Sequence, residues 1–309
     1  MGYLFLGLAL LCGTTKAYCG KRTSGFIRTP SDSITITLIR MSICVFIGLA
    51  MVFFDSTATF AIPSEAILLS LLAGITSSIF VISWILSVRI GSLMMIDVFL
   101  AVSTIIPIFF STILFPETDT VSPRQIIGCV ILLIAVIIMC SYNKSIKKKT
   151  TIGTLLLIAL CATANGCTEL ITNVYSRNEY GAASVFNFYT YVGAAGSLML
   201  VSIGMMIFKG IKKHSVPQNE LAEPQEKLQL AKILPYISVM ALCLFFNTYF
   251  KTLATQSLDA IIVFPISQIG SMMLASIMAH FIFKEKLNLK GIIGIIIALG
   301  ALLIINWKI

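Results

Sequence analysis

Five ionisable residues stand inside long apolar stretches of this chain: Lys16, Arg40, Asp97, Glu169 and Lys251. A charge at the centre of a hydrocarbon layer costs roughly 2.5 to 3.5 kcal/mol on insertion scales, so each one needs an account. Arg40 carries a planar fork that suits a carboxylate or a phosphate, although a side chain reaching back to a headgroup region is the competing explanation. Lys16 offers a second cation. Glu169 and Asp97 are carboxylates that can carry a proton, and Glu169 can also hold an ammonium. Lys251 follows the aromatic run Phe245-Phe246-Asn247-Thr248-Tyr249-Phe250 and reads as an anchor near a helix end. Neutral polar residues accompany the charges: Asn165, Thr168, Thr172, Asn173, Asn187, Tyr189, Tyr191, Asn247 and Gln268. Facing hydrocarbon they would be unsatisfied, so some line a wet site and others tie helix to helix. The candidate small-molecule contacts are Lys16, Arg40, Glu169, Asn165, Asn173, Asn187, Tyr189, Asn247 and Gln268, and the candidate proton carriers are Glu169 and Asp97.

The elements that must position these residues are membrane helices. Hydrophobic residues make up 58% of the 309 residues and charged residues only 11%, too little charge to cover a soluble surface. The apolar residues fall in runs of about 18 to 25, the length that crosses a hydrocarbon core of about 30 Å. Spans are expected near 2–20, 33–54, 65–88, 91–115, 123–142, 151–175, 183–208, 233–254, 258–283 and 287–307. Thr29-Pro30-Ser31-Asp32-Ser33 opens the second with cap-forming residues, Pro63-Ser64-Glu65 the third and Ser122-Pro123 the fifth. Pro107 and Pro265 fall inside the fourth and ninth, where each marks either a hinge or a tolerated kink. The first span has an apolar core, Tyr3 to Cys12, of signal-peptide length, but no Lys or Arg precedes it and Gly13 to Lys16 interrupts it. It is read as an integral helix.

Several function classes are excluded. The net charge of +9 in a chain this apolar reports basic loops rather than nucleic-acid binding. The eight cysteines lie in or beside apolar runs with no CxxC spacing, and the two histidines, His214 and His280, form no HExxH, so no metal or cofactor site is expected. A phosphate loop ending in GK[ST] and a Gly-x-Ser-x-Gly elbow are both absent, and the chain is not read as an enzyme.

The sequence repeats itself. Phe115-Pro116-Glu117 leads to Arg124-Gln125-Ile126-Ile127-Gly128, as Phe283-Lys284-Glu285 leads to Lys290-Gly291-Ile292-Ile293-Gly294. Upstream, Ser92-Leu93 to Val98-Phe99 parallels Ser257-Leu258 to Val263-Phe264, and Cys12-Gly13-Thr14-Thr15-Lys16 parallels Asn165-Gly166-Cys167-Thr168-Glu169. The matches keep one order in both halves. Halves with an odd number of spans must invert in the membrane, which puts a pseudo-two-fold axis in its plane and a site between the halves. The expected fold is therefore all-α, with ten transmembrane helices in two inverted five-helix repeats. Residues 1–142 form one repeat, 143–150 a basic connector, and 151–309 the second repeat with a polar linker at about 209–232. On this alignment Lys16 and Glu169 face each other across the axis, as a static ion pair or as the two poles of a binding site.

Small residues, an aromatic-Xaa-Glu turn and then a glycine early in the next helix, in both halves of ten spans, resemble the drug/metabolite transporter superfamily, EamA-like branch. The resemblance covers essentially the whole chain. It implies alternating access around a central cavity, and Glu169 resembles in placement the coupling carboxylate that small multidrug-resistance relatives carry in their first helix. Three cationic side chains against two acidic ones then favour a small anionic or zwitterionic metabolite, moved by a proton-coupled secondary transporter in the plasma membrane of a prokaryote. A multidrug or lipid-linked substrate, or a membrane sensor that transports nothing, is the alternative. The expected partners are the lipid bilayer, the small-molecule substrate and the proton. Gly291, Gly294 and Gly300 smooth one face of the last helix, which offers a seam for a homodimer.

Orientation follows from the basic residues. With ten spans, one side collects Lys21, Arg22, Arg28, Arg89, Lys144, Lys147, Lys148, Lys149, Lys209, Lys212, Lys213, Lys227, Lys232, Lys284, Lys286 and Lys290. The other collects Arg124, Arg177, Lys251 and Lys308. The resemblance implies cytoplasmic termini, but cytoplasmic loops carry the Lys and Arg excess, so the charge places both termini outside. A C-terminal alkaline-phosphatase fusion is expected to be active and a fluorescent-protein fusion dark; the reverse pattern would put the C-terminus in the cytoplasm.

Overall fold

The computed structural model describes residues 1–27, 29–90, 93–115, 122–145, 152–215, 230–258, 260–284 and 289–306. Among these, every regular element is an α-helix: α1 Gly2–Ser24, α2 Pro30–Phe54, α3 Ser64–Ile90, α4 Leu93–Val102, α5 Ile105–Leu114, α6 Pro123–Ser145, α7 Ile152–Arg177, α8 Ala183–Ser215, α9 Leu230–Ser257, α10 Ala260–Phe281 and α11 Leu289–Asn306. Six stretches are long and apolar enough to cross a membrane, including Met95–Leu114, which runs through α4 and α5. Shorter apolar helical stretches cover Pro123–Met139, Ile266–Phe281 and Leu289–Ile305.

The helix starts follow their capping chemistry. At α2 the backbone N–H of Thr29 donates to Asp32 Oδ2 at 2.8 Å and the N–H of Asp32 donates to Thr29 Oγ1 at 3.2 Å, with Pro30 as first helical residue. Ser122 and Gln125 make the same reciprocal pair ahead of Pro123. Helix α8 continues to Ser215, into the first residues of the expected linker. Pro116, Glu117, Glu285 and residues 216–229, on which the turn motifs and most of that linker rest, lie outside the described residues.

The fourth span departs from expectation: it is two helices that meet at Ser103–Thr104. Pro107 has no N–H for the carbonyl of Ser103, four residues earlier. That carbonyl instead accepts from the N–H of Ile106 at 3.2 Å, a tighter turn. The hydroxyls of Ser103 and Thr104 donate back to the carbonyls of Leu100 and Ala101 at 2.6 and 2.7 Å. Pro265 lies near the start of α10, which is continuous.

Packing is inside out relative to a soluble protein. Phe46, Phe54, Ile137, Leu200 and Phe281 point outward, whereas Arg40, Asp97 and Glu169 are buried. That is the arrangement of a chain whose solvent is lipid, and the protein is an integral membrane protein. Helix α1 packs on α9 and α10, α3 on α7 and α8, α2 on α8 and α9, α4 on α10, α5 on α7, and α6 on α11. Side-chain contacts sort the helix ends into two groups. Lys21 reaches the carbonyl of Val88, Arg22 stacks over Phe283 and Lys290 reaches Ser141 at one end. Ser184 reaches Asp55, Ser176 meets Thr255 and Arg177 lies over Phe115 at the other.

Close crossings rest on glycine. A side chain on Gly74 would strike the Thr190 carbonyl oxygen of α8, and one on Gly193 would come within 2.7 Å of the Leu71 carbonyl oxygen of α3. Gly294 faces Met139 of α6 while Gly300 meets nothing within 4 Å, so the glycine face of α11 is shared between an internal contact and open surface. Gly74→Val should lower the melting temperature in detergent, at a cost of about 1–3 kcal/mol or more for overpacking against backbone. Gly204→Ala, where nothing lies within 4 Å, should not lower it. Equal melting temperatures for the two variants would contradict the crossing.

Candidate functional site

Helix α7 carries the centre of the site. Asn165, Glu169, Asn173 and Ser176 recur at helical spacing and share its inner face. Asn165 Nδ2 donates to Ser103 Oγ at 2.8 Å, and Asn173 Nδ2 donates to Ser111 Oγ at 2.7 Å. The two bonds step along α7 and the fourth span in the same direction, so these elements run parallel with the break at Ser103 beside Asn165. Gly166 lets them approach, since a side chain there would lie 2.6 Å from the Ser103 carbonyl oxygen. Thr168 meets Thr76 of α3 at 2.8 Å.

Glu169 is 6% exposed. Its Oε1 accepts from Asn165 Nδ2 at 3.1 Å and from Lys251 Nζ at 3.4 Å, while Oε2 is buried with no hydrogen-bond partner. The cation in direct contact with Glu169 is therefore Lys251, at 19% side-chain exposure, rather than Lys16. The sequence reading of Lys251 as an anchor fails because aromatic flanks also occur deep in a bundle: Phe245 is wholly buried against Tyr191. Its position two turns before the end of α9 was the available signal.

Lys16 is half-buried, with Nζ 5.9 Å from the centre of the Phe80 ring. It lies within electrostatic reach of Lys251, Arg40 and Asp97, and Glu169 feels its charge. Arg40 is 1% exposed, and its Nε and Nη2 have no hydrogen-bond partner. It makes no ion pair with Asp97, and the titratable groups that act on it electrostatically are Cys44 and Tyr191. The Tyr191 hydroxyl is already engaged by the Leu244 carbonyl and Thr248. Snorkelling does not describe a side chain this enclosed.

The remaining amides serve packing at least in part. Asn247 Nδ2 donates to the Ala9 carbonyl at 2.6 Å, binding α9 to α1. Gln268 Nε2 donates to the backbone carbonyl of Asp97 at 3.3 Å, binding α10 to α4. Asn187 Nδ2 bonds Ala183 O and Thr252 Oγ1, leaving Oδ1 buried without a partner. Tyr189 is half-buried with its ring edge-on to Phe188. Thr172 donates to the carbonyl of Thr168. Among the described residues no three His, Cys, Asp or Glu side chains cluster as metal ligands, and the seven cysteines with described side chains are free thiols.

The site thus joins one buried ion pair to two cations, Lys16 and Arg40, that no carboxylate neutralises by direct contact. Removing one partner of a buried pair costs about 3–5 kcal/mol, because the other charge is stranded. Lys251→Met should therefore destabilise the protein in detergent, and Glu169→Gln added to it should restore most of the loss. Glu169→Gln alone should cost less, since the Lys251 amine can turn toward solvent. Additive losses in the double variant would show that the pair is not coupled.

Comparison with known proteins agrees with this architecture. The fold is similar to a solved crystal structure of a protein at a TM-score of 0.66, with 12% identity, covering 98% of this chain and 95% of that one. At that identity the likeness concerns the fold. No curated protein matches the chain. The EamA-like transporter family matches residues 151–307, more than half of the chain. The chain belongs to the EamA-like transporter family.

Proposed function

We propose that this chain is a secondary transporter with ten spans in two inverted five-span repeats, which carries a small anionic or zwitterionic metabolite across the plasma membrane by alternating access. In this reading α4 and α5 form one span. The helix contacts support the repeat. Exchanging each span with the one five places away turns the α1–α9 contact into α7–α3, α2–α9 into α8–α3, and α1–α10 into the contact of α7 with the fourth span, all of which exist. The same exchange maps the α2–α8, α6–α11 and α4–α10 contacts onto themselves. Such an exchange is what a two-fold axis produces, and a discontinuous helix beside the central carboxylate is a recurrent feature of transporters built this way.

The observation that carries the substrate class is Arg40, a guanidinium buried to 1% exposure with two N–H positions unanswered. A buried charge is tolerated when a partner completes it. With Lys16 within electrostatic reach of it, the missing partner is an anion. Glu169, held by Lys251 and Asn165 through one oxygen only, supplies the proton or ammonium position, with Asp97 as a second carboxylate. Protonating Glu169 releases Lys251 and loosens its tie through Asn165 to the broken span at Ser103.

Uptake of a pool of labelled small anions into proteoliposomes tests this. Arg40→Gln and Lys16→Gln should each cut anion uptake by roughly tenfold or more, the effect of losing a charge-assisted bond, with folding verified separately. Glu169→Gln should abolish the stimulation of uptake by a proton gradient while leaving exchange across equal pH. Wild-type uptake in a folded Arg40→Gln protein would sink the anion reading, and an intact gradient response in Glu169→Gln would remove the proton role.

A further inference from the structure

Helix α2 presents three buried polar side chains at i, i+4 and i+7: Ser33, Thr37 and Arg40. Ser33 and Thr37 have no exposed surface, and neither hydroxyl has a hydrogen-bond partner. Helical Ser and Thr hydroxyls ordinarily turn back to a carbonyl three or four residues earlier, as Thr35 does on this same helix, bonding Ser31 O at 3.0 Å. Thr14, Ser70, Thr168 and Thr172 do likewise. Ser33 and Thr37 have declined that option and keep their donors free in the interior. Their face of α2 continues to Cys44, whose Sγ reaches the Ala241 carbonyl of α9, so the stripe looks into the bundle.

The free atoms define a shape. Nε and Nη2 of Arg40 are one lateral edge of the guanidinium, the edge that grips two oxygens at once. The Cα–Cβ bond of a helical residue tilts toward the helix N-terminus, so the Cβ of Arg40 leans toward the turn that bears Thr37, about 4.5 Å of helix rise away. A planar carboxylate has two oxygens and the fork uses both. A tetrahedral oxyanion gripped by two oxygens still offers a third, and hydroxyl donors along the same stripe are placed to meet it.

We propose that Ser33, Thr37 and Arg40 form a subsite for a tetrahedral oxyanion, a phosphate, phosphonate or sulfonate group. The proposal deepens the anion reading of Arg40 and rests on it, but binding is separable from movement. The three residues determine which head group is accepted, and Lys16 supplies general positive charge. The stripe begins at the end of the molecule where Lys21, Arg22 and Lys290 gather, a field that draws polyanions toward Ser33.

The test uses the full chain in a maltoside detergent, with methylphosphonate and acetate as probes, read by calorimetric titration and by melting temperature. Methylphosphonate should bind saturably and at least roughly tenfold more tightly than acetate. Thr37→Val, and the Ser33→Ala/Thr37→Val pair, should weaken methylphosphonate by roughly tenfold or more per hydroxyl bond lost and leave acetate unchanged. These variants remove hydroxyls that have no partner, so the unliganded melting temperature should hold or rise, which keeps the measurement interpretable. Arg40→Lys should lose the preference, because an ammonium lacks the fork. A phosphorus assay on the purified protein separates the two sources of such a group. Lipid phosphorus that inorganic phosphate cannot displace assigns the subsite to a headgroup, and full displacement assigns it to a soluble oxyanion. Equal affinity for methylphosphonate and acetate overturns the subsite, as does unchanged methylphosphonate binding in a folded Ser33→Ala/Thr37→Val protein. Retained preference with no anion movement in proteoliposomes leaves the subsite standing and removes the transport reading.

Discussion

A charge in a low-dielectric interior must be paired, wetted or neutralised, and that constraint governs how this protein is assembled. Glu169 meets it with Lys251 at 3.4 Å and Asn165 at 3.1 Å. Arg40 does not meet it among the described residues: it is enclosed, and one edge of its guanidinium has no hydrogen-bond partner there. The exterior obeys the same rule in reverse, with large apolar side chains such as Phe46 and Leu200 facing outward because lipid asks for no hydrogen bonds. Interior polarity of this kind exceeds what helix packing requires. A bundle held only by dispersion would close on small residues, as α3 and α8 do at Gly74 and Gly193.

The broken fourth span lies directly against that interior chemistry. Pro107 removes the N–H that would have completed the turn at Ser103, and the carbonyls of Leu100 and Ala101 accept both the backbone N–H and the hydroxyl of Ser103 and Thr104 respectively. Gly166 allows the break to lie directly on α7, and Asn165 bonds both the break and Glu169. One amide therefore connects the titratable group to the break in a membrane helix. One turn beyond the carboxylate the same two elements are fastened again by Asn173 on Ser111.

Much of this was legible from the chain. Thr29-Pro30-Ser31-Asp32 announced its helix start because a cap is local chemistry, and the bonds at Thr29 and Asp32 are those the residues imply. Arg40, Asp97 and Glu169 stood out because a charge in an apolar run has few explanations. Pro107 was visible, but whether it would break its helix depended on the neighbouring Ser-Thr pair and on Gly166, which lies 59 positions further along the chain. Partner identity was less legible. An alignment of α1 with α7 pointed Glu169 at Lys16, whereas the ion pair runs to Lys251 on α9, since side-chain reach and helix rotation, not the backbone axis alone, choose the contact. Asn247 and Gln268, candidate binding groups by sequence, hold the Ala9 and Asp97 carbonyls, a role that sequence cannot separate from ligand contact. Ser33 stood out only as one of the residues at a helix start and Thr37 not at all, because a hydroxyl in a helix is unremarkable until its usual carbonyl is found unused.

Charge balance connects the site to a transport cycle on the proposed reading. Three cations and two carboxylates leave the intramembrane cluster one positive charge in excess. A binding region with that excess is costly to enclose in hydrocarbon, and water at the open end lowers the cost. A monoanion bound at Arg40 removes the excess, so the loaded cluster can be enclosed where the unloaded one resists it. A proton on Glu169 restores the excess and favours reopening. The sign of the cluster thus gives a reason for closure to follow loading, and it does so without any carboxylate at Arg40, whose own pairing would have made the unloaded state as easy to close as the loaded one.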